Sequence, residues 1–320
     1  MRTVVAVVRG GPSSEYGVSL KTGASVLESL DREKYEPRDI FIDRMGNWHL
    51  HGVLVPPEKA LFGTDVAFNA LHGEFGEDGG VQRLFERLGM PYTGSGPVSS
   101  ATAFNKHLTK EQARRFGVKV AHGVVADRSD DIEALSHQLF RSMPHPVIVK
   151  PVAGGSSVAT TIAHNFQQLQ NALGTAFDHS PQALVEEFIK GREATVGVID
   201  NFRNQKTYAL MPVEIIPPSH QPFFSYDAKY GGETIERVPG NFSHAETTEL
   251  EKIAKLVHEG LNLSHYSRSD FIISRRGIYF LEVNTLPGLT SESLLPKALR
   301  AVGSSLGQFI DHVIQLARRR

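Results

Sequence analysis

The residues best placed to do chemistry in this 320-residue chain lie between Arg268 and Asn284. Arg268-Ser269-Asp270-Phe271-Ile272-Ile273-Ser274 and Ile278-Tyr279-Phe280-Leu281-Glu282-Val283-Asn284 flank a short turn, Arg275-Arg276-Gly277. Two such runs around a glycine turn predict a β-hairpin. Pairing Ser274 with Ile278 sets Asp270 opposite Glu282 and Arg268 opposite Asn284. Side chains alternate along a strand, so these four share one face. Phe271, Ile273, Tyr279, Leu281 and Val283 are left on the other face for a core. Facing carboxylates with Cβ atoms ~5 Å apart repel unless a cation lies between them. Oxygens from Asp, Glu and Asn suit Mg²⁺, with phosphate and water completing the octahedron. The plain alternative is a hairpin end whose acids splay into water. Arg268 and Asn284 on the same face, and the sharp turn Asn284-Thr285-Leu286-Pro287-Gly288, favour the metal.

Other segments add phosphate and amine chemistry. Lys150 ends an apolar strand and precedes Gly154-Gly155-Ser156-Ser157. Such a loop lets backbone N–H groups and the Ser156 and Ser157 hydroxyls wrap phosphate oxygens, though a simple turn has the same composition. It is not a Walker A loop, and Gly10-Gly11 is not a dinucleotide fingerprint. Glu186-Glu187-Phe188-Ile189, leading to Gly191-Arg192-Glu193, can read an adenine edge and ribose hydroxyls; an ordinary strand end looks alike. The polar, aromatic stretch 225–234, with Lys229 and Tyr230, has the make-up of a lid or of a surface loop. Glu15 falls at a helix start, where it can favour the helix dipole or receive a substrate ammonium. His72 opens a glycine-rich loop, Gly73 to Gly80, and can orient substrate or brace the loop. No histidine spacing suits zinc.

These groups need a frame that brings four distant segments together. The first third alternates strands (Val4–Val8, Arg38–Ile42, Asp65–Ala70) with helices, which predicts a parallel sheet. Its strand ends carry the loops Gly11–Glu15 and His72–Gly80, which should open into one crevice. Helices are expected over Lys106–Phe116, Asp131–Arg141, Phe166–Phe177 and Glu246–Gly260, with more at the end of the chain. Boundaries near Gly96 and Glu187 divide the chain into 1–96, 97–187 and 188–320. Charge is balanced, with 34 Lys and Arg against 35 Asp and Glu, so nothing points to nucleic acid. There is no cysteine, which removes disulfides and thiolate chemistry. The apolar run Val4–Val8 is too short for a signal peptide or a membrane span. A soluble cytoplasmic protein is the expectation.

The order of these segments resembles the D-alanine–D-alanine ligases of the ATP-grasp superfamily. The matching residues run from Gly10-Gly11-Pro12-Ser13-Ser14-Glu15 through Leu71-His72-Gly73 with Gly76-Glu77-Asp78-Gly79, and Pro91-Tyr92-Thr93-Gly94-Ser95-Gly96. They continue with Lys150-Pro151, Gly155-Ser156-Ser157-Val158, Ala228-Lys229-Tyr230, Leu281-Glu282-Val283-Asn284-Thr285 and Pro287-Gly288-Leu289-Thr290-Ser291. The resemblance implies an α/β ATP-grasp fold with an N-terminal Rossmann-like domain. It also implies ATP-dependent joining of two D-alanines through a D-alanyl phosphate, for peptidoglycan precursors. Lys106, Lys150, Ser156, Ser157 and Lys229 would hold ATP phosphates; Glu186, Phe188, Ile189 and Glu193 would hold adenosine. Asp270, Glu282 and Asn284 would bind two Mg²⁺ ions, with Mn²⁺ as a substitute. Glu15, Ser156 and Tyr230 would form a hydrogen-bonded set, with Glu15 on the first substrate's ammonium. Arg268 would stabilise charge at the reacting centre, the Gly288 N–H would serve an oxyanion hole, and His72, Ser293 and Leu294 would line the substrate site. A homodimer is implied. The alternatives are an ATP-grasp ligase that uses a different amino acid or hydroxy acid as second substrate, and a catalytically weak nucleotide-binding relative. The chain departs from the family's usual residues at Asn105, Ala153-Gly154, Ala159, Ser267 and Ser269.

Overall fold

Among the described residues three sheets carry the chain, and their edges define the clefts between them. The computed structural model describes residues 2–155, 158–218 and 234–319. The first sheet has the order Val53–Leu54, Trp48–Leu50, Tyr35–Ile42, Thr3–Gly10, Val66–Asn69. Thr3–Gly10 is buried, β-branched and central, and it runs parallel to both neighbours, as βα units require. The sheet is nevertheless mixed rather than purely parallel. Trp48–Leu50 and Val53–Leu54 form an antiparallel edge hairpin. Its two-residue turn, His51-Gly52, has φ of 52° and 77°, and histidine is a weak signal for that backbone.

The second sheet is antiparallel, in the order Gly123–Asp127, Gln182–Glu187, Val147–Pro151, Thr161–Ala163. Helix Phe166–His179 covers it. Asn165 caps that helix by accepting from the Gln168 N–H, and Leu169, Ala172, Leu173, Ala176 and Phe177 form its buried stripe at helical spacing. The third sheet has six strands. Ile235–Arg237, Val213–Ile216, Arg192–Phe202, Tyr266–Ser274 and Gly277–Asn284 follow in order, and Gln205–Ala209 also pairs with Arg192–Phe202. Helix His244–Gly260 packs on it, started by a reciprocal capping box between Ser243 and Glu246.

The expected hairpin is present, with one correction to its register. Arg268 pairs with Asn284 and Asp270 with Glu282, as the spacing predicts. The turn, however, pairs Ser274 with Gly277, and a β-bulge opposite Asp270/Phe271 takes up the extra residue at Leu281. Beyond the bulge the faces exchange. Phe280 and Ile278 join Phe271, Ile273 and Val283 in the core under helix His244–Gly260. Tyr279 and Leu281 instead share a cluster with Ala121, Ile189 and Ile272. The bulge thus exchanges Ile278 and Phe280 for Tyr279 and Leu281 on the face that carries the polar row.

The chain closes on its own beginning. Phe309, Ile310, Val313 and Ile314 of helix Leu306–Ala317 pack with Val5, Val7 and Phe68 of the first sheet, in one core with Ile199 and Tyr266 of the third. Burying each such side chain contributes roughly 1.5–3 kcal/mol relative to exposure. The Gly94 N–H donates to His265 Nδ1 at 3.0 Å across the same junction. The first and third sheets are therefore held at a fixed angle by shared packing.

Candidate active site

A cleft lies between the second and third sheets. Its floor is built from strand ends: Lys150 from Val147–Pro151, Glu186 from Gln182–Glu187, and Asp270 and Glu282 from the hairpin. Phe188, Ile189, Ile272 and Leu281 line its apolar side, with Glu193 beside them. The Glu186 carboxylate is buried between two lysines. Lys150 Nζ lies 2.9 Å from one oxygen and Lys110 Nζ hydrogen-bonds to the other. Burial works against the charge on Glu186, but Lys110 and Lys150 outweigh it and hold the carboxyl down to about 2. Burial likewise pushes Lys110 down to about 7, with Lys150 adding to the effect and Glu186 opposing it.

Lys106 begins helix Lys106–Arg115 and reaches the same floor. Its Nζ donates to the Gly154 carbonyl and lies 3.7 Å from Glu282 Oε2. Gly154 has φ of 123°, a backbone that glycine adopts without strain. Asn105, where the family usually has Asp, still caps this helix by accepting from the Leu108 N–H at 3.0 Å. Ala159 stands at φ 54° where the family usually has glycine.

The four polar hairpin residues divide this cleft from a second cavity. Asp270 and Glu282 face the first, and Arg268 and Asn284 face the second. Arg268 grips Asp270 through two hydrogen bonds of 2.9 Å, and Thr195 Oγ1 donates to Asp270 Oδ1 at 2.5 Å. Burial opposes the Arg268 charge, yet Asp270 raises its pKa above the usual arginine value. The Asn284 amide, oriented to satisfy both neighbours, accepts from Arg268 at 2.9 Å and donates to Glu77 at 3.3 Å. Among the described residues no group of three or more Asp, Glu, His or Cys could hold a metal unaided. The register-paired Asp270 and Glu282, with Asn284 beside them, form an oxygen-only set that fits a hard divalent cation needing further oxygens from a ligand.

The second cavity is lined by Glu15, His72, Glu77, Arg268, Gly288, Ser293 and Leu294. Glu15 occupies the N-cap of helix Tyr16–Ser29, but its side chain makes no capping bond. Instead it lies against two glycines: a Cβ on Gly155 would sit 2.8 Å from Glu15 Oε2, and one on Gly73 would sit 3.2 Å away. The crevice between the Gly11–Glu15 and His72–Gly80 loops therefore forms as expected, tied by Ser13 Oγ donating to the His72 carbonyl at 2.6 Å. His72 is buried with its Nε2 2.8 Å from Thr22 Oγ1; burial lowers its pKa, against the pull of Glu15. Ser293 precedes helix Leu294–Ala301, and its Oγ lies 2.8 Å from Thr290 Oγ1 and 3.2 Å from the Thr290 N–H. A Cβ on Gly288 would meet that same Oγ at 2.8 Å.

Ser156, Ser157, Lys229 and Tyr230, with nearly all of the 225–234 stretch, lie outside the described residues. Every other predicted site residue lines one of the two cavities. Three further groups at these sites carry no distinct signal of a role in the sequence. Lys110 follows Lys106 by one helical turn, so the spacing alone puts both on one face. Glu77 is buried and accepts from the Gly73 N–H at 2.8 Å and the Leu286 N–H at 3.2 Å, which ties the first sheet's loop to the turn after the hairpin. Thr195 comes from the neighbouring strand, and only the sheet register reveals it.

Two lobes of antiparallel sheet closing over a cleft floored by lysines and carboxylates, beside a Rossmann-like domain, define the ATP-grasp class of ligases. Models of the D-ala D-ala ligase N-terminus match residues 4–57 and 52–95, and that of the D-ala D-ala ligase C-terminus matches 113–315. A D-alanine–D-alanine ligase of Syntrophobacter fumaroxidans is 38% identical over 320 residues, covering 99% of this chain and 98% of its own. Among solved structures, the VanG D-Ala:D-Ser ligase from Enterococcus faecalis superposes with a TM-score of 0.87 at 29% identity, covering 99% of this chain and 100% of its own. The D-alanine–D-alanine ligase of Bacillus anthracis complexed with ATP superposes with a TM-score of 0.82 at 30% identity, covering 99% and 98%. The chain belongs to the D-alanine–D-alanine ligase family.

Proposed function

We propose that this chain joins two D-alanines into D-alanyl-D-alanine at the expense of ATP, supplying peptidoglycan precursors. The observation that carries the reading is the polar row Arg268, Asp270, Glu282, Asn284 standing between the cleft floored by Lys150 and Glu186 and a crevice ending at Glu15. A carboxylate held in the crevice can meet a γ-phosphate held in the cleft only across that row. Lys106 and Lys150, with Ser156, Ser157 and Lys229, hold the phosphates. Glu186, Phe188, Ile189 and Glu193 hold adenosine.

Glu15 receives the ammonium of the first D-alanine, with Ser156 and Tyr230 completing its hydrogen bonds and His72 bracing the loop. That substrate's carboxylate oxygen attacks the γ-phosphorus, ADP leaves, and an acyl phosphate forms. Arg268 lies where the transferring phosphoryl group and the later tetrahedral oxyanion carry charge. The second D-alanine rests by Ser293 and Leu294, and its amine attacks the acyl carbon. The Gly288 N–H donates to the oxyanion, and phosphate departs. Asp270, Glu282 and Asn284 would hold Mg²⁺, two ions by family resemblance and replaceable by Mn²⁺, and the metal would neutralise phosphate charge. The 225–234 stretch would exclude water from the acyl phosphate. By the same resemblance the enzyme is a cytoplasmic homodimer divided at residues 96 and 187. Among the described residues no helix is long and apolar enough to cross a membrane.

Phosphate release on adding D-alanine and MgATP, with the product identified by mass spectrometry, tests the reading. D-Alanyl-D-alanine is expected; ATP binding without turnover would leave only a nucleotide-binding relative. The likeness to the VanG D-Ala:D-Ser ligase supports a second reading, D-serine as acceptor. A product heavier by one oxygen from a mixture of the two amino acids distinguishes it.

A further inference from the structure

Glu186 carries one cation more than its charge requires. Lys150 alone neutralises it, at 2.9 Å, yet Lys110 Nζ hydrogen-bonds to the other carboxylate oxygen. All three side chains are buried, and Lys110 is only 2% exposed. Burying a second ammonium there is costly, so the fold gains something other than neutrality from it. The three groups come from three elements: helix Lys106–Arg115, strand Val147–Pro151 and strand Gln182–Glu187. With both oxygens anchored from opposite sides, the carboxylate cannot rotate. It also remains paired when Lys150 turns toward phosphate.

We propose that Lys110 is a positioning residue that makes the cleft selective for a 6-amino purine, by holding Glu186 as a fixed, ionised acceptor on the cleft floor. The proposal rests on the assignment of Glu186 to adenine under the proposed function. An anchored carboxylate accepts from the exocyclic amine of adenine and repels the 6-oxo group of a hypoxanthine or guanine nucleotide. Without Lys110 one carboxylate oxygen loses its anchor and the group follows Lys150, so it accepts less well from the amine and repels a 6-oxo group less.

The test compares MgATP with MgITP, in which a 6-oxo group and an N1–H replace the 6-amine and the N1 acceptor; the change in the ATP:ITP ratio on losing Lys110 isolates the share that passes through Glu186. Direct binding is measured by calorimetry, and steady-state kinetics are measured with D-alanine. The wild-type enzyme should prefer ATP. Lys110→Met should raise the KM for ATP roughly tenfold and narrow the ATP:ITP ratio by a similar factor, with the KM for D-alanine little changed. It leaves a neutral Lys150–Glu186 pair, so its melting temperature should stay near wild type. Should it not fold, Lys110→Gln serves as the second variant. In combination with Glu186→Gln, loss of Lys110 should cost little more selectivity, because both act through one carboxylate. An unchanged ATP:ITP ratio in a folded Lys110 variant, or a wild-type enzyme that binds both nucleotides equally, overturns the proposal and leaves the ligase reading standing. A wild-type enzyme that binds neither overturns both.

Discussion

At the scale of single residues, the account turns on charge placed where a phosphoryl group passes. Glu282 faces Asp270 across the hairpin and lies 3.7 Å from Lys106. Glu282→Gln keeps the shape and removes the charge. It should fold normally and lose turnover by on the order of 100-fold or more, because a neutral amide holds less firmly the divalent cation that would offset phosphate charge at that point. Circular dichroism with a phosphate-release assay checks this, and near-wild-type turnover would remove Glu282 from the metal set. Glu15 lies in the other cavity, against Gly155 and Gly73. Glu15→Gln should raise the KM for D-alanine about tenfold or more, the worth of one hydrogen bond to a charged group, and leave nucleotide binding almost unchanged. Titrating each substrate separately distinguishes that result from a general loss of fold. That Arg268, Asp270, Glu282 and Asn284 share one face is legible in the sequence, because side chains at alternating positions of paired strands point the same way. Lys110 is not, since a lysine on a helix reads as solvated until its burial against Glu186 is seen.

At the scale of elements, the β-bulge at Leu281 decides what the hairpin does. The period-two pattern places Asp270 opposite Glu282 correctly but assigns Tyr279 and Leu281 to the core. The bulge returns the polar row to register after a turn one residue tighter than expected. It also sends Leu281 into the nucleotide cleft beside Ile272. Bulges have no composition of their own, so this exchange of faces was beyond the alternation pattern. The helices were read more closely, because Asn165, Asp131 and Ser243 cap the starts of strongly periodic stretches. Ser269 shows the reverse case. It replaces an apolar residue common in the family, it is fully buried, and its hydroxyl has no hydrogen-bond partner among the described residues. Ser269→Ala should therefore stabilise the protein by roughly 1 kcal/mol, measured by urea unfolding. A loss of stability would mean that the hydroxyl has a partner.

At the scale of the whole molecule, three sheets must meet for the chemistry to occur. The C-terminal helix packed on the first sheet fixes the crevice against the hairpin, a long-range contact that no local pattern announces. The buried Lys110–Glu186–Lys150 set couples the cleft to acid stability. Glu186 is held down to about 2 from an ordinary 4.5. Between those values the unfolded chain binds a proton that the native one does not. Its stabilising contribution is therefore full above about 4.5 and is lost as the pH falls through about 2. Unfolding free energies across that interval should fall more steeply for wild type than for Glu186→Gln; parallel profiles would deny the carboxylate that role. The central claim is that a D-alanine carboxylate in the crevice crosses the hairpin row to take phosphate from ATP in the cleft. The most direct measurement uses D-alanine with the heavy oxygen isotope at both carboxylate positions, with unlabelled MgATP and water, and reads the released phosphate by mass spectrometry. The account predicts one heavy oxygen in each phosphate released, carried over through the acyl phosphate. Phosphate free of label, formed together with dipeptide, would contradict it.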